Sequence, residues 1–334
     1  MRLLVTGGAG FMGSNFIKYI LAKYPDYQIV NLDKLTYAGN LENLKAVANN
    51  PRYSFLRGDI AVADDVEKAI GSGVDAIINY AAETHVDRSI LDPDAFIRTD
   101  IFGTYTLLEA VRRHQIGRYL QISTDEVYGS VTEGSFTESS PFCPNSPYSA
   151  SKAGADHLCR AYQVTYGLPI IVTHSCNFYG PNQYPEKLIA LFITNLLEGK
   201  NVPVYGRGEQ IREWIFTEDH CRAIEIILLK GKDGEVYNIG TGYESRNIDI
   251  ADSILQILGY NQDMLEFVAD RPGHDWRYAV DSCKLRDQLG WEPIVDFEDG
   301  LRRTVEWYKN NEQWWKKIKS GEYLEYYKKQ YKKI

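Results

Sequence analysis

Three glycines, Gly7, Gly10 and Gly13, stand between an apolar run at Arg2–Thr6 and an amphipathic stretch at Phe11–Tyr24. A strand that turns straight into a helix over glycines has a backbone free to bend sharply and to be approached closely. It also turns the first N–H groups of that helix toward open space, where a negative group is favoured. The same alternation then repeats. Gln28–Leu32, Tyr53–Arg57, Asp75–Tyr80, Arg118–Ile122 and Pro169–Ser175 read as strands. Leu41–Asn49, Asp64–Ile70, Thr99–His114 and Tyr148–Tyr166 read as the helices among them. This rhythm predicts an α/β fold with a doubly wound parallel sheet and helices on both faces.

Beyond about residue 177 the pattern loosens. Gly180-Pro181-Asn182 and Gly206-Arg207-Gly208 punctuate it, with short helices expected at Glu186–Leu197, Glu218–Leu229 and Ile248–Leu258 and a strand at Glu235–Ile239. A length of 334 residues accommodates about two domains. We expect a first domain over 1–176, with segments near 213–242 returning to it, and a smaller α/β substrate lobe over 177–334. The net charge of −8 argues against a general nucleic-acid binder, which needs a basic face, but not against small phosphate-bearing ligands. The five cysteines form neither a CxxC nor a Cys/His cluster, so no metal site or disulfide framework is expected, and reduced thiols fit a cytoplasmic protein. The chain opens as a strand without an export signal, and no window holds about 18 uncharged apolar residues, so no membrane span is expected. Trp314–Ile334 carries seven lysines among aromatics and reads as a terminal amphipathic helix with a solvated lysine face.

Asp33 closes the second strand, 20 residues after Gly13. An acidic side chain there accepts hydrogen bonds from both hydroxyls of a ribose and repels a 2′-phosphate, which favours NAD over NADP. The alternative for Asp33 is a turn or capping residue. Asp59-Ile60 follows the third strand and is placed to flank an adenine, or Asp59 is a loop carboxylate. Ala81-Ala82 at the end of the fourth strand leaves room for a cofactor or serves packing.

Tyr148 and Lys152 are four apart and share a helix face. A phenol near pKa 10 is a poor base at neutral pH, and a nearby ammonium together with a nicotinium ring would lower it. Upstream, Ser123-Thr124-Asp125-Glu126 sets two carboxyls side by side. Neighbouring carboxyls push their pKa values apart, which gives one acid and one base. Adjacent strand residues point to opposite faces, so irregular backbone is expected after Ser123. A solvent-facing loop pair is the alternative for Asp125-Glu126, and an ordinary strand residue for Thr124.

These motifs resemble the extended short-chain dehydrogenases/reductases, an NAD-binding Rossmann superfamily, and within it the dTDP-glucose 4,6-dehydratase family. The resemblance covers essentially the whole chain. It is carried by Gly7–Gly13, Ala81–Ser89, Ser123–Gly129, Tyr148–Lys152, Asn177–Pro181, Glu186–Ile189, Gln210–Trp214 and Arg271–Asp275. Thr124-Asp125-Glu126 before Val127-Tyr128-Gly129 is the most discriminating. The resemblance implies a hydro-lyase that oxidises a sugar at C4, eliminates water across C5 and C6, and reduces C6 with recycled NAD, on the way to dTDP-rhamnose. Tyr148 would deprotonate the C4 hydroxyl beside Lys152 and Thr124, Glu126 would remove the C5 proton, and Asp125 would protonate the departing hydroxyl. The implied cofactor residues are Gly7, Gly10, Phe11, Met12, Gly13, Asp33, Lys34, Thr36, Asp59, Ile60, Ala81, Ala82, Thr99, Ser123, Tyr148, Lys152 and Asn177. With Thr124, Asp125 and Glu126, the implied substrate residues are Thr84, His85, Asn177, Lys187, Leu188, Pro203, Tyr205, Arg212, Asn247, Arg271 and His274. Arg212 and Arg271 suit a diphosphate and Tyr205 a thymine. The family implies a homodimer joined through helices near Thr99–His114 and Tyr148–Tyr166. Many relatives carry two asparagines before Tyr179, and here the pair is Asn177-Phe178. A nucleotide-sugar 4-epimerase, a dehydratase of another nucleotide sugar and a non-catalytic NAD-binding protein are the competing readings.

Overall fold

The computed structural model describes residues 1–270, 273–320, 323 and 327. Its strands are β1 (Arg2–Thr6), β2 (Gln28–Asp33), β3 (Tyr53–Arg57), β4 (Ala76–Asn79), β5 (Tyr119–Thr124), β6 (Ile170–Ser175), β7 (Asn177–Tyr179), β8 (Val202–Tyr205), β9 (Ile211–Phe216), β10 (Val236–Ile239), β11 (Glu244–Arg246) and β12 (Leu265–Val268). The helices are α1 (Phe11–Lys23), α2 (Ala63–Ile70), α3 (Val86–Leu91), α4 (Pro93–Phe96), α5 (Thr104–His114), α6 (Pro147–Tyr166), α7 (Leu188–Leu197), α8 (Thr217–Lys230), α9 (Asn247–Leu258), α10 (Cys283–Leu289), α11 (Phe297–Asn310) and α12 (Glu312–Ile318).

Seven strands form one sheet in the order β10-β6-β5-β4-β1-β2-β3. Every pairing in it is parallel. Along β1, Leu3 and Val5 join one core and Leu4 the other, and all three are fully buried. That is the period of two of a strand covered on both sides. Phe16, Ile17 and Ile20 of α1 pack on the first face with Ile224 and Ile227 of α8. Val66 of α2 and Leu107, Leu108 and Val111 of α5 cover the second. Beyond the sheet, β11-β9-β7 and the parallel pair β12-β8 rest on a third core. It is built from Ile193 and Leu196 of α7, Ile250 and Ile254 of α9, and Leu301 and Val305 of α11.

Three local readings differ from the sequence expectations. The helix expected over Leu41–Asn49 is a 3-10 turn, Leu41–Val47, started by the Asn40 side chain accepting from the Glu42 N–H. The helix expected from Thr99 begins as a π-helical turn, Ile97–Gly103, and becomes α-helical only at Thr104. Asp100 in that turn accepts from the Ser151 hydroxyl at 2.7 Å and from the Glu83 N–H at 3.2 Å, ties a regular helix had no need of. In the C-terminal stretch, Trp314 and Trp315 are buried in the third core and Lys316 and Lys317 are exposed. Lys319 is not solvated: it is buried and paired with Glu198 at 2.7 Å, because α12 turns it toward α7. Residues 321–322, 324–326 and 328–334 of the expected terminal helix lie outside the described residues. No described helix is long and apolar enough to cross a membrane.

Candidate active site

The chain leaves β1 toward β2 on one side of the sheet and returns to β4 on the other. At the carboxyl ends of these strands, where such a sheet divides, lies a cavity of about 260 Å³. All of the cofactor residues named above line it.

The glycine turn fits a dinucleotide. Gly7 sits at φ +65°, and a Cβ on it would lie 2.6 Å from the Ala81 backbone nitrogen. One on Gly13 would lie 2.5 Å from the Gly7 carbonyl oxygen. Gly10 caps α1 without a side chain, so the helix presents bare N–H groups to the cavity. Asp33 is pinned by N–H groups of Ala9 and Leu35, each 2.8 Å from one carboxylate oxygen, and each oxygen keeps a second lone pair. Burial pushes the Asp33 carboxyl up, and the Leu35 and Ala9 N–H groups hold it down. Asp59 pairs with Lys34 at 2.7 Å and caps its own loop through the Ala61 N–H.

On the other side of the sheet midpoint, β5 stops at Thr124 and the chain tightens into a 3-10 turn, Asp125–Tyr128. The irregular backbone expected there is present. The Thr124 hydroxyl accepts from the Glu126 N–H at 3.2 Å and donates to Asp125 at 3.2 Å. Asp125 is buried, and its second oxygen has no protein partner among the described residues. Burial first, then Glu126 and Glu213, push its carboxyl well above the usual range, which favours its protonated form.

The helix carrying Tyr148 and Lys152 starts at a capping box, Ser146 with Ser149, with Pro147 in its first turn. In the protein alone the Tyr148 phenol is pushed well up, by burial first, then by Glu126 and Asp100, with the Thr124 hydroxyl pulling it down. Lys152 is buried and donates to the Ile122 carbonyl at 3.4 Å.

Glu126, Asn177 and Lys187 also line a second cavity, of about 150 Å³, so the two adjoin at these residues. Thr84 lines the first cavity, and His85, Leu188, Pro203, Tyr205, Arg212, Asn247 and His274 line the second. Arg271 lies outside the described residues. The Arg212 guanidinium lies 4.2 Å over the Tyr278 ring and is held by the carbonyls of Ile211 and Asp275, at 2.7 and 3.0 Å. Tyr205 donates to Asp87 at 3.0 Å and meets the His274 ring edge-on. Asn177 Oδ1, Asn247 Oδ1 and Trp214 Nε1 are buried on these walls without a protein hydrogen bond among the described residues. Such atoms are costly unless something completes them. Phe178 faces the first cavity and packs at 4.5 Å on the buried His220.

The sequence reading missed Glu83, which lines the first cavity and whose carboxyl is pushed up to about 7 by burial and then by Asp100. Its position directly after Ala81-Ala82 at a strand's carboxyl end was the available signal. It also missed the junction of Tyr37, Glu186 and Arg88. The Tyr37 hydroxyl lies 2.8 Å from both Glu186 and the Thr84 carbonyl, and Arg88 pairs with Glu186 at 2.9 Å. Nothing local in the sequence joins residues 149 positions apart.

A parallel sheet of this order, a glycine turn at its division and a Tyr-x-x-x-Lys helix beside it define an extended short-chain dehydrogenase/reductase. A family model described as GDP-mannose 4,6 dehydratase matches residues 4–304. A dTDP-glucose 4,6-dehydratase from Streptomyces niveus is 52% identical over 324 residues, covering 96% of each chain. A dTDP-glucose 4,6-dehydratase from Streptomyces venezuelae, solved with NAD bound, superposes with a TM-score of 0.93 at 51% identity, covering 95% of this chain and all of that one. A UDP-glucose 4-epimerase from Thermotoga maritima superposes at 0.86 and 30% identity, covering 93% and 99%. The chain belongs to this family of sugar-nucleotide dehydratases, on the dTDP-glucose 4,6-dehydratase branch.

Proposed function

We propose that this protein converts dTDP-glucose to dTDP-4-keto-6-deoxyglucose and water. The observation that carries the reading is the adjacent pair Asp125-Glu126, with Asp125 buried and its carboxyl pushed up, in the same cavity as Tyr148 and Lys152. The glycine turn and Asp33 hold NAD, which accepts hydride from C4 of the sugar and returns it to C6. Tyr148 takes the proton of the C4 hydroxyl. Its raised pKa in the protein alone is opposed by the positive charge of the oxidised cofactor and by Lys152, which favour the phenolate when the oxidised ring is in place. Thr124 holds the C4 oxygen. Glu126 removes the C5 proton that a 4-keto group acidifies, and Asp125 gives its proton to the departing C6 hydroxyl. A proton returns to C5 as C6 is reduced, so the net change is loss of one water.

The second cavity takes the nucleotide. Lys187 and Arg212 meet the diphosphate and Tyr205 the base, with Asn177, Leu188, Pro203, Asn247 and His274 around them, and Thr84 and His85 reach the sugar; the resemblance adds Arg271, which lies outside the described residues. Residues 1–176, with a returning stretch near 213–242, serve the cofactor, and 177–334 the nucleotide. Five free cysteines support a cytoplasmic setting, and we place the reaction upstream of dTDP-rhamnose. Ile97, Phe102, Tyr105, Val164 and Tyr166 are exposed apolar residues along the π-helical turn, α5 and α6, which supports a homodimer joined there.

Incubation with dTDP-glucose and catalytic NAD+ tests the reading by product mass. Loss of one water, abolished in Glu126→Gln, is the expected result. A product of unchanged mass with galactose configuration would make the protein an epimerase.

A further inference from the structure

A chain of fully buried polar side chains runs behind the catalytic residues. The Ser123 hydroxyl donates to Asp156 Oδ2 at 2.7 Å. The same oxygen lies 3.1 Å from His174 Nε2. His174 Nδ1 lies 2.6 Å from the Tyr128 hydroxyl, which donates to Asn238 Oδ1 at 2.9 Å. Asn238 uses its own amide N–H on the Phe136 carbonyl, at 2.9 Å, and this turns its Oδ1 toward Tyr128. The His174 ring thus joins the Tyr128 hydroxyl to the Asp156 carboxylate through its two nitrogens.

The placement of the two ends gives this chain its meaning. Tyr128 is the last residue of the 3-10 turn that carries Asp125 and Glu126. Asp156 lies on α6 one turn beyond Lys152 and two beyond Tyr148. His174 on β6 and Asn238 on β10 are the posts between them. Four of the five members are at most 3% exposed and Ser123 is 4% exposed, so the bonds form out of reach of competing water.

We propose that Tyr128, His174 and Asp156 are positioning residues that set the acid–base turn against the tyrosine–lysine helix, and so couple oxidation at C4 to elimination across C5 and C6. A sugar oxidised by the helix must find the Asp125-Glu126 turn already in place, and misplacement by an ångström costs rate steeply. This rests on the dehydratase reading.

Tyr128→Phe removes one hydroxyl and keeps the ring on Phe136, 5.2 Å away and nearly parallel. Rapid mixing of the NAD+-loaded protein with dTDP-glucose separates the two steps, since reduced nicotinamide appears on oxidation and disappears after elimination. The expected result is formation of reduced nicotinamide within twofold of the parent rate, a lifetime at least tenfold longer, and an unchanged KM. In the protein without substrate, amide hydrogen exchange at residues 125–128 should quicken while that of α6 does not. Asp156→Asn should reproduce the pattern, and carries the test alone should Tyr128→Phe fail to fold. An unchanged lifetime, or oxidation and elimination slowed by the same factor, overturns the proposal. A parent protein that forms no reduced nicotinamide with dTDP-glucose overturns the dehydratase reading, and this proposal with it.

Discussion

Asp125 and Glu126 are consecutive in sequence and chemically unequal in the fold. Asp125 is 2% exposed and, among the described residues, keeps one oxygen without a protein partner, and burial pushes its carboxyl up, which suits it to give a proton. Glu126→Gln should therefore stop the reaction after oxidation: reduced nicotinamide accumulates on the protein while water loss falls about 10²–10⁴-fold. Glu83 offers a test in stability. Its carboxyl sits near 7 in the fold against 4.5 for the ordinary group, so the folded state binds more protons than the unfolded one between these values. Stability then falls as pH rises from about 4.5 to about 7 and levels off above. Glu83→Gln should remove this slope and, above pH 7, stabilise the unliganded protein by on the order of 3 kcal/mol at most, read from urea midpoints across pH 5–8. The unequal carboxyls were legible in the sequence because Asp-Glu adjacency is itself a chemical statement. Glu83 was not, because its character comes from burial beside Asp100, 17 positions away.

At the scale of elements, the strands of the large sheet that precede residue 176 could be read because β1, β2, β4, β5 and β6 carry apolar runs buried on two faces, while the half-exposed edge strand β3 follows from its place in the alternation. The smaller strands could not. β7 and β11 have three residues each, and β8 and β12 pair across more than sixty positions, so their patterns are set by remote partners rather than by local period. The π-helical turn at Ile97–Gly103 was hidden for the same reason, since the bonds Asp100 makes within it run to the remote Ser151 and Glu83. The glycine turn is the opposite case, where spacing alone told the geometry. Gly13→Ala should show it: the added methyl would meet the Gly7 carbonyl oxygen at 2.5 Å and push α1 off the turn. Overpacking of this kind costs about 1–3 kcal/mol. NAD+ affinity, measured by calorimetry, should drop tenfold or more.

At the scale of the molecule, two kinds of surface stand out. The cleft is lined by groups from both halves of the chain, and Tyr37, Glu186 and Arg88 bolt its rims together. The outer faces of the π-helical turn, α5 and α6 carry Phe102, Tyr105 and Val164 at 51%, 41% and 65% exposure. A homodimer would bury them. Phe102→Glu with Val164→Glu should shift sedimentation from dimer to monomer; a parent protein that sediments as a monomer would remove the basis for the pairing. The sheet itself bears on how the chain is made. Its edge next to β6 is closed by β10, residues 236–239, and two strands of the smaller sheet, β7 and β9, come before it. On a ribosome the first six strands emerge with an open edge, and the strand that seals it follows only after about sixty more residues. During that interval the nascent cofactor half exposes the backbone of β6, a template for pairing with a neighbouring nascent chain. Slow translation between residues 176 and 236 would lengthen that exposure.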